Sequence, residues 1–192
     1  HAGGGTPEWQ YRIIDTIVAT ERDLPAKHAI AVNVANGSVR ATNVHLSVSV
    51  LNFHYCSPPN AVAMNYDLGR VIGENETGFR GRADVYYRTE GWEFLLAGGA
   101  LYNNLDYSFT AKHPAGTFLG YTSPGGGSPA LRRQLGILKR FLDSFDLVRL
   151  APDKGTVHNG TVGLQTRALA QGDGTYAIYV HAPPPANATS TV

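Results

Sequence analysis

Two glutamates, Glu74 and Glu76, follow a short β-branched segment and precede Thr77–Gly78–Phe79. Because side chains alternate between the two faces of a strand, the pattern predicts that Glu74 and Glu76 share one face and that Asn75 lies on the other. Carboxylates on one face disfavour each other's charge, which suits them to acid and nucleophile chemistry. An acidic turn at a solvent-exposed strand end is the alternative interpretation.

The composition indicates a globular protein with little net charge. The chain has 192 residues, of which 43% are hydrophobic and 16% charged, and its formal net charge is +1. We therefore expect neither nucleic acid nor an anionic membrane as a partner, and no apolar segment approaches the roughly 20 residues of a membrane span. The single cysteine, Cys56, excludes an internal disulfide and is expected to be a small buried hydrophobic residue rather than a nucleophile.

Hydrophobic periodicity predicts alternating helices and strands up to about residue 150. Thr6 and Ser128 are candidate helix N-caps, each followed by proline at the first helical position. The predicted helices cover residues 6–24, 58–68, 86–98 and 128–145, and the predicted strands cover residues 28–34, 44–53, 70–76 and 100–109. Such alternation favours an α/β fold with a parallel sheet.

The pattern changes after Pro152, where helix signals disappear. Residues 164–170 and 175–181 read as two antiparallel strands joined by Gly172–Asp173–Gly174. Two strands are not stable alone, so we expect the start of a β-sandwich that is truncated or is completed by packing on the α/β part. The predicted division is an α/β domain over residues 1–150 and a β-rich segment over residues 151–192, with a flexible tail from Pro183.

Four segments in order carry a resemblance to a known family. They are Leu51-Asn52-Phe53-His54-Tyr55 with Ser57-Pro58-Pro59, then residues 73–81, 94–109 and the loop 123–129. Together they resemble the C-terminal half of bacterial cellulase-like or β-galactosidase-like glycoside hydrolases of the retaining (β/α)8 clan. The resemblance implies a half (β/α)8 barrel of four β/α units, corresponding to barrel strands five to eight, without a metal or organic cofactor.

The resemblance also implies roles for individual residues. Glu76 corresponds to the catalytic nucleophile and Glu74 is the second choice for that role. A carbohydrate substrate would be bound by residues at the ends of the neighbouring strands: Asn52, His54, Tyr55, Asn104, Asp106 and Tyr107. Packing is the alternative role for His54 and Tyr55, and hydrogen bonding to backbone amides of the following loop is the alternative for Asp106.

In this clan the general acid/base is a glutamate in an Asn-Glu motif at the end of strand four, and residues 1–10 contain no such motif. The expected activity is retaining hydrolysis of β-glucosides, β-galactosides or related polysaccharides, with the acid/base missing from the chain. The alternative is a catalytically inactive half-barrel that binds sugar or serves in assembly.

The first residue, His1, supports two further expectations. Because the chain does not begin with methionine and shows no signal peptide, we expect a processed protein or a fragment. The resemblance to bacterial enzymes implies a bacterial protein, and it leaves open whether the protein is cytoplasmic or secreted. An N-terminal histidine could also bind copper together with His28, His45 or His113, as in polysaccharide monooxygenases. The alternation of helices and strands argues against the antiparallel sandwich that such a site needs.

Four parallel strands leave two open edges, and open edges recruit further strands. A barrel-facing surface with Val32, Val48, Val50 and Ile72 would also be left uncovered. We therefore expect a dimer or larger oligomer that closes through these surfaces.

Overall fold

The computed structural model describes residues 6–122, 124–157 and 162–184. It has a four-stranded parallel sheet, a separate three-stranded antiparallel sheet and four helices, which confirms the mixed α/β fold class. The helices are α1 (Pro7–Thr20), α2 (Asn60–Asn65), α3 (Asp84–Leu96) and α4 (Pro129–Leu142). The strands are β1 (Ile30–Asn36), β2 (Val48–His54), β3 (Val71–Glu76), β4 (Leu101–Tyr102), β5 (Ala151–Pro152), β6 (Gln165–Gln171) and β7 (Thr175–His181).

The parallel sheet has its strands in chain order, β1-β2-β3-β4. One row of register partners crosses all four strands and consists of Asn33, Asn52, Gly73 and Leu101. Because the strands are parallel, their carboxyl ends lie along one edge of the sheet. That edge carries His54 at the end of β2 and Glu76 at the end of β3, and these two are register partners.

One face of the parallel sheet is covered by helices. Leu51 and Phe53 of β2 and Ile72 of β3 pack in one cluster with Val62 of α2 and Phe94 of α3, all at most 2% exposed. Burial of large aliphatic and aromatic side chains contributes on the order of 2 kcal/mol each to folding. This cluster holds the helices against the sheet.

The expectation that Val48 and Ile72 line an uncovered surface is wrong. Their exposed fractions are 3% and 2%, and both belong to the core under the helices. A period of two identifies residues that share a face, but it does not say which face is covered. The open face instead carries the row through Asn52 and Gly73, together with Val71, which is 45% exposed.

Several predicted boundaries are corrected. The first helix ends at Thr20 rather than Leu24, and β2 begins at Val48 rather than Val44. The strand predicted over residues 100–109 is reduced to Leu101–Tyr102. The Asn103 amide still donates to the Glu74 carbonyl of β3, and beyond it the backbone bonds to loops: the Leu105 amide donates to the Thr77 carbonyl, and the Tyr107 amide donates to the Gly126 carbonyl.

The caps of the two long amphipathic helices follow the prediction. The Thr6 hydroxyl accepts a hydrogen bond from the Trp9 amide at 3.3 Å, and the Ser128 hydroxyl accepts one from the Leu131 amide at 2.8 Å. Within the described ranges, none of the helices has the length and apolarity that crossing a membrane would need.

The antiparallel sheet has the order β5-β6-β7, so β5 is a strand that sequence reasoning missed. The β6–β7 hairpin was predicted, and it is completed by packing on the α/β part: Leu169 and Ala177 lie in one cluster with Leu138 and Leu142 of α4. The Trp92 and Tyr179 rings stack with their centroids 5.1 Å apart. The predicted tail lies, from residue 185 onward, outside the described residues.

Two helix-interior glycines give a test of this packing. A Cβ at Gly91 in α3 would lie 2.9 Å from the Tyr102 ring, whereas a Cβ at Gly136 in α4 would meet nothing closer than the Arg140 guanidinium at 3.5 Å. Replacing glycine by alanine gains about 0.5–1 kcal/mol in a helix interior, and overpacking costs about 1–3 kcal/mol. We expect Gly136→Ala to stabilise the protein and Gly91→Ala to destabilise it in urea unfolding. Equal effects of the two substitutions would contradict the packing of α3 on β4.

Candidate functional site

The side chains of Glu76 and Tyr55 are hydrogen-bonded at the carboxyl edge of the parallel sheet. The Tyr55 hydroxyl donates to Glu76 Oε1, and His54 Nδ1 lies 3.7 Å from Glu76 Oε2. The Glu76 side chain is 27% exposed, while the His54 side chain is 3% exposed. The structure therefore brings three of the predicted residues together: Glu76, whose carboxylate is solvent-accessible, and its neighbours Tyr55 and His54.

The backbone holds this arrangement from both strands. The Tyr55 amide donates to the Glu76 carbonyl at 2.9 Å, which continues the β2–β3 ladder by one residue. Tyr55 has φ of 56°, a left-handed conformation that a tyrosine adopts only when its surroundings enforce it. This turn places the ring over the end of β3.

Burial, the hydrogen bond to Glu76 and nearby charge raise the pKa of Tyr55 to about 12. Tyr55 therefore remains protonated at neutral pH and acts as a hydrogen-bond donor to the carboxylate. A donor of this kind holds a carboxylate in one orientation and moderates its negative charge.

Two exposed aromatic side chains lie near Tyr55, the hydrogen-bond partner of the Glu76 carboxylate. The Phe79 ring is 67% exposed and meets the Tyr55 ring edge to face at 5.6 Å. Tyr107 is 39% exposed, and it contributes to the raised pKa of Tyr55, which places it nearby. Phe79 was not among the predicted contact residues, although the Thr-Gly-aromatic sequence after Glu76 was the available signal.

The predicted asparagines occupy different positions. Asn104 is 8% exposed and lies between Asn103, whose amide donates to the Glu74 carbonyl, and Leu105, whose amide donates to the Thr77 carbonyl. It therefore runs alongside the end of β3. Asn52 is also 8% exposed, but it belongs to the row through Gly73, which is three residues, about 10 Å, before Glu76 on β3.

Asp106 has the alternative role considered for it. Its Oδ1 accepts hydrogen bonds from the Ser108 amide at 2.9 Å and from the Ser108 hydroxyl at 2.6 Å. Its Oδ2 receives the Arg132 guanidinium at 2.7 Å. A Cβ at Gly127 would lie 1.9 Å from the Asp106 carboxylate, so this loop closes only on a glycine.

Glu74 lies in a different environment from Glu76. It is a register partner of Phe53 and Tyr102, which pack in or against the core under the helices, and it is fully buried. Its Oε1 accepts a hydrogen bond from the Cys56 amide at 2.5 Å. The acidic neighbour of Glu74 is Glu90 of α3, not Glu76 as the alternation of side chains predicts. The strand register shifts between Phe53 and His54, which breaks the simple alternation at this point.

The Glu74–Glu90 pair has shifted protonation. Burial raises the pKa of Glu74 to about 8, with the negative charge of Glu90 as the second cause. Burial raises the pKa of Glu90 to about 7, opposed by a hydrogen bond from the Thr77 hydroxyl at 2.9 Å and by Arg80. The sequence analysis did not identify Glu90. The available signal was a glutamate on the side of α3 that is buried.

Cys56 is 1% exposed, and burial with the nearby Glu74 charge raises the pKa of its thiol to about 12. Its thiol donates to the Gly37 carbonyl at 3.2 Å. The expectation of a small buried residue is therefore confirmed, because a nucleophilic cysteine needs a lowered pKa and access.

Among residues 6–122, 124–157 and 162–184, no three or more His, Cys, Asp or Glu side chains come together in a group that could hold a metal ion. His1, on which the copper alternative depends, lies outside the described residues. His28 and His45 contact Glu21 and Asp15, and His113 contacts Thr117.

The chain was compared with known proteins at three levels. No protein-family model, no curated protein and no solved structure matches it.

The raised pKa values of the Glu74–Glu90 pair predict how stability depends on pH. Between about pH 4.5 and 8 the folded protein binds more protons at this pair than the unfolded chain does, so the free energy of unfolding falls as pH rises through this range. We expect urea unfolding to show a more stable protein at pH 5 than at pH 8, and a smaller difference in Glu90→Gln. A free energy of unfolding that rises from pH 5 to pH 8 would contradict the raised pKa values.

Proposed function

We propose that the chain is a retaining glycoside hydrolase component with Glu76 as the nucleophile, acting on β-glucosides, β-galactosides or related polysaccharides. The observation that carries the proposal is the hydrogen bond from the Tyr55 hydroxyl to the half-exposed Glu76 carboxylate at the carboxyl edge of a parallel sheet. In barrel enzymes the residues that do chemistry lie at this edge.

The sheet supports the same proposal at the level of the fold. Strands β1 to β4 follow one another in chain order and are parallel throughout, as four successive strands of a (β/α)8 barrel are. We infer that they form half of such a barrel and correspond to its strands five to eight. The four sequence segments that resemble the cellulase-like and β-galactosidase-like enzymes include the ends of β2, β3 and β4.

The surroundings of Glu76 suit a sugar. Exposed Phe79 and Tyr107 offer aromatic faces near Tyr55, the residue bound to the carboxylate, and aromatic side chains with polar neighbours are typical of ligand sites. Asn104 has a buried side-chain amide nitrogen without a hydrogen-bond partner in the described part of the chain. A sugar hydroxyl would supply the missing acceptor once the Asn104 side chain turned towards solvent.

In the proposed reaction, Glu76 attacks the anomeric carbon while the bond to the leaving oxygen breaks and takes its electron pair. Tyr55 and His54 hold the carboxylate in place during this step. A second carboxyl about 5–5.5 Å away would protonate the leaving group and then activate water.

The exposed Phe79 and Tyr107 rings fit a second candidate equally well, a catalytically inactive module that binds sugar or takes part in assembly, because stacking on a sugar does not require that a bond be broken. A carboxylate without an acid/base can still be a hydrogen-bond acceptor for sugar hydroxyls. The two candidates differ in one measurable respect, since only a nucleophile forms a covalent bond to the sugar.

The nucleophile is tested with 2,4-dinitrophenyl 2-deoxy-2-fluoro-β-glucoside and the corresponding galactoside. Dinitrophenolate leaves without protonation, so the probe does not need the acid/base, and the fluorine slows hydrolysis of the glycosyl-enzyme. We expect intact mass spectrometry to show one added fluorosugar and peptide mapping to place it on the peptide containing Glu76. We expect no addition in Glu76→Gln, at an unchanged melting temperature.

The outcomes separate the alternatives. A label that remains in Glu76→Gln and maps to Glu74 would transfer the nucleophile role to Glu74. Absence of a label in the wild-type protein, together with chemical-shift changes at Phe79 or Tyr107 on adding cello-oligosaccharides, would favour the inactive sugar-binding module.

We further propose that two copies of the chain associate through the open face and edges of the parallel sheet. Val71 and Leu101 on this face are 45% and 40% exposed, and β1 and β4 are edge strands. Exposed apolar side chains beside unpaired edges favour association. A second copy could also bring another carboxyl towards Glu76.

We expect light scattering at micromolar concentration to give at least a dimer, and Val71→Glu to shift it towards the 20.6 kDa monomer. Val148→Glu is the matched control, because Val148 is 95% exposed and belongs to the 3-10 turn Leu147–Arg149, away from the parallel sheet. A wild-type protein that remains monomeric would exclude the proposed association.

A further inference from the structure

The Glu74–Glu90 pair is buried and is bonded to the residues that follow Tyr55 and Glu76 in the chain. The site itself is carried by two short backbone segments, Tyr55–Cys56 after β2 and Glu76–Thr77 at the end of β3. Each residue that follows a site residue is bound by one carboxyl of the pair. The Cys56 amide donates to Glu74 Oε1 at 2.5 Å, and the Thr77 hydroxyl donates to Glu90 Oε1 at 2.9 Å.

The second oxygen atoms of the two carboxyls, Oε2 of Glu74 and Oε2 of Glu90, are in similarly unfavourable surroundings. Glu74 Oε2 and Glu90 Oε2 are both buried, and neither has a hydrogen-bond partner in the described part of the chain. A buried carboxylate oxygen without a partner costs several kcal/mol. One proton placed between the two carboxyls would satisfy both oxygens, because it turns one group into a donor and leaves the other as an acceptor.

We propose that Glu74 and Glu90 are positioning residues: they share one proton, with Glu74 as donor and Glu90 as acceptor, and their outer oxygens hold Cys56 and Thr77 so that Tyr55 stays on Glu76. The proposal's consequence for catalysis rests on the proposed function of Glu76. Its consequence for the geometry of Tyr55 does not.

The electrostatics agree with this assignment of the proton. Burial raises the pKa of both groups, and the negative charge of Glu90 is the second cause for Glu74, which favours Glu74 as the protonated member when the pair holds one proton. Other titratable and charged groups shift the pKa values of the pair or have their own pKa values shifted by it. They come from each neighbouring element: Cys56 after β2, Tyr102 of β4, Tyr87 and Glu93 of α3, and Arg80 in the loop before α3.

The backbone at Tyr55 explains why such positioning is needed. A left-handed tyrosine is strained and relaxes unless neighbouring contacts oppose it. The amide that follows it, Cys56 N–H, is the group that Glu74 binds. Loss of that acceptor would release the turn and with it the Tyr55 hydroxyl.

The test uses the conservative and the apolar substitution at the same position. In Glu74→Gln the amide oxygen can accept from Cys56 and the amide NH2 can donate to Glu90, so glutamine reproduces a protonated glutamate. In Glu74→Leu both contacts are lost. The readout is the pKa of Tyr55, followed by NMR of ring-labelled tyrosine and assigned with Tyr55→Phe.

We expect the Tyr55 pKa of about 12 to persist in Glu74→Gln and to fall by at least about one unit in Glu74→Leu. Thr77→Val, which removes a single hydrogen bond to Glu90, should lower it in the same direction and serves if Glu74→Leu does not fold. Glu93→Gln is the control: Glu93 also lies on α3 and is buried, but it binds Arg167 and His181 of the second sheet.

A Tyr55 pKa that is unchanged in both Glu74→Leu and Thr77→Val, or that falls equally in Glu93→Gln, would overturn the proposal. A fall in Glu74→Gln as large as in Glu74→Leu would overturn the protonated state of Glu74. If the wild-type protein also reacts with the fluorosugar probe, Thr77→Val should slow labelling by up to about 10²-fold, as displacement of a catalytic group by about 1 Å does. An unreactive wild type with the expected Tyr55 shifts would contradict the proposed function and leave the positioning role supported.

Discussion

The backbone hydrogen bond from the Tyr55 amide to the Glu76 carbonyl is the contact on which the site depends. It extends the β2–β3 ladder one residue beyond His54 and sets the turn that carries the Tyr55 ring over Glu76. Without it, the two side chains would belong to two independent loops. The core cluster under the helices contributes by holding β2 and β3 in register, because Phe53 and Ile72 pack against Phe94 of α3.

Two glutamates two residues apart thus have opposite physical roles. Glu76 is half-exposed and bound by side chains, so it remains available to a ligand. Glu74 is fully buried and bound by a backbone amide, where a full negative charge is unfavourable. The difference arises because the register shifts between Phe53 and His54, which ends strict alternation before Glu76 is reached. Burial and backbone contact oppose assigning the nucleophile to Glu74.

The sequence predicts the type of most elements, since helical periodicity and N-caps are local. Thr6 and Ser128 cap α1 and α4 as predicted, and the β7 bounds agree with the expected 175–181. What the sequence could not supply is set by contacts between distant residues. The two residues of β5 have no periodicity to detect, and β4 is short because Leu105 and Tyr107 find hydrogen-bond partners at Thr77 and Gly126, outside β3.

The candidate site shows the same division between local and distant information. The Glu76 motif and the His54–Tyr55 pair could be identified from residue types, whereas the neighbour of Glu74 could not. Glu90 lies sixteen positions further along the chain, on a helix whose buried face is otherwise expected to be apolar. The sequence therefore suggested a pair of Glu74 with Glu76, because they are close in the chain. In the fold, Glu74 pairs with Glu90 instead.

The contacts around Glu76 also constrain where an acid/base carboxyl could approach. The segment 103–105 runs beside the end of β3 and bonds to Glu74, Asn75 and Thr77, which fills the β4 side. The interior side is filled by the Glu74–Glu90 pair, and the β2 side by Tyr55 and His54. Two directions remain: the space beyond the strand ends, and the open face of the sheet, where the Asn75 side-chain amide donates to Asn33 of β1 at 3.4 Å. On the open face, a carboxyl about 5–5.5 Å from Glu76 would lie over these asparagines. The uncovered face of the sheet is thus one side from which a second carboxyl would complete a glycosidase site.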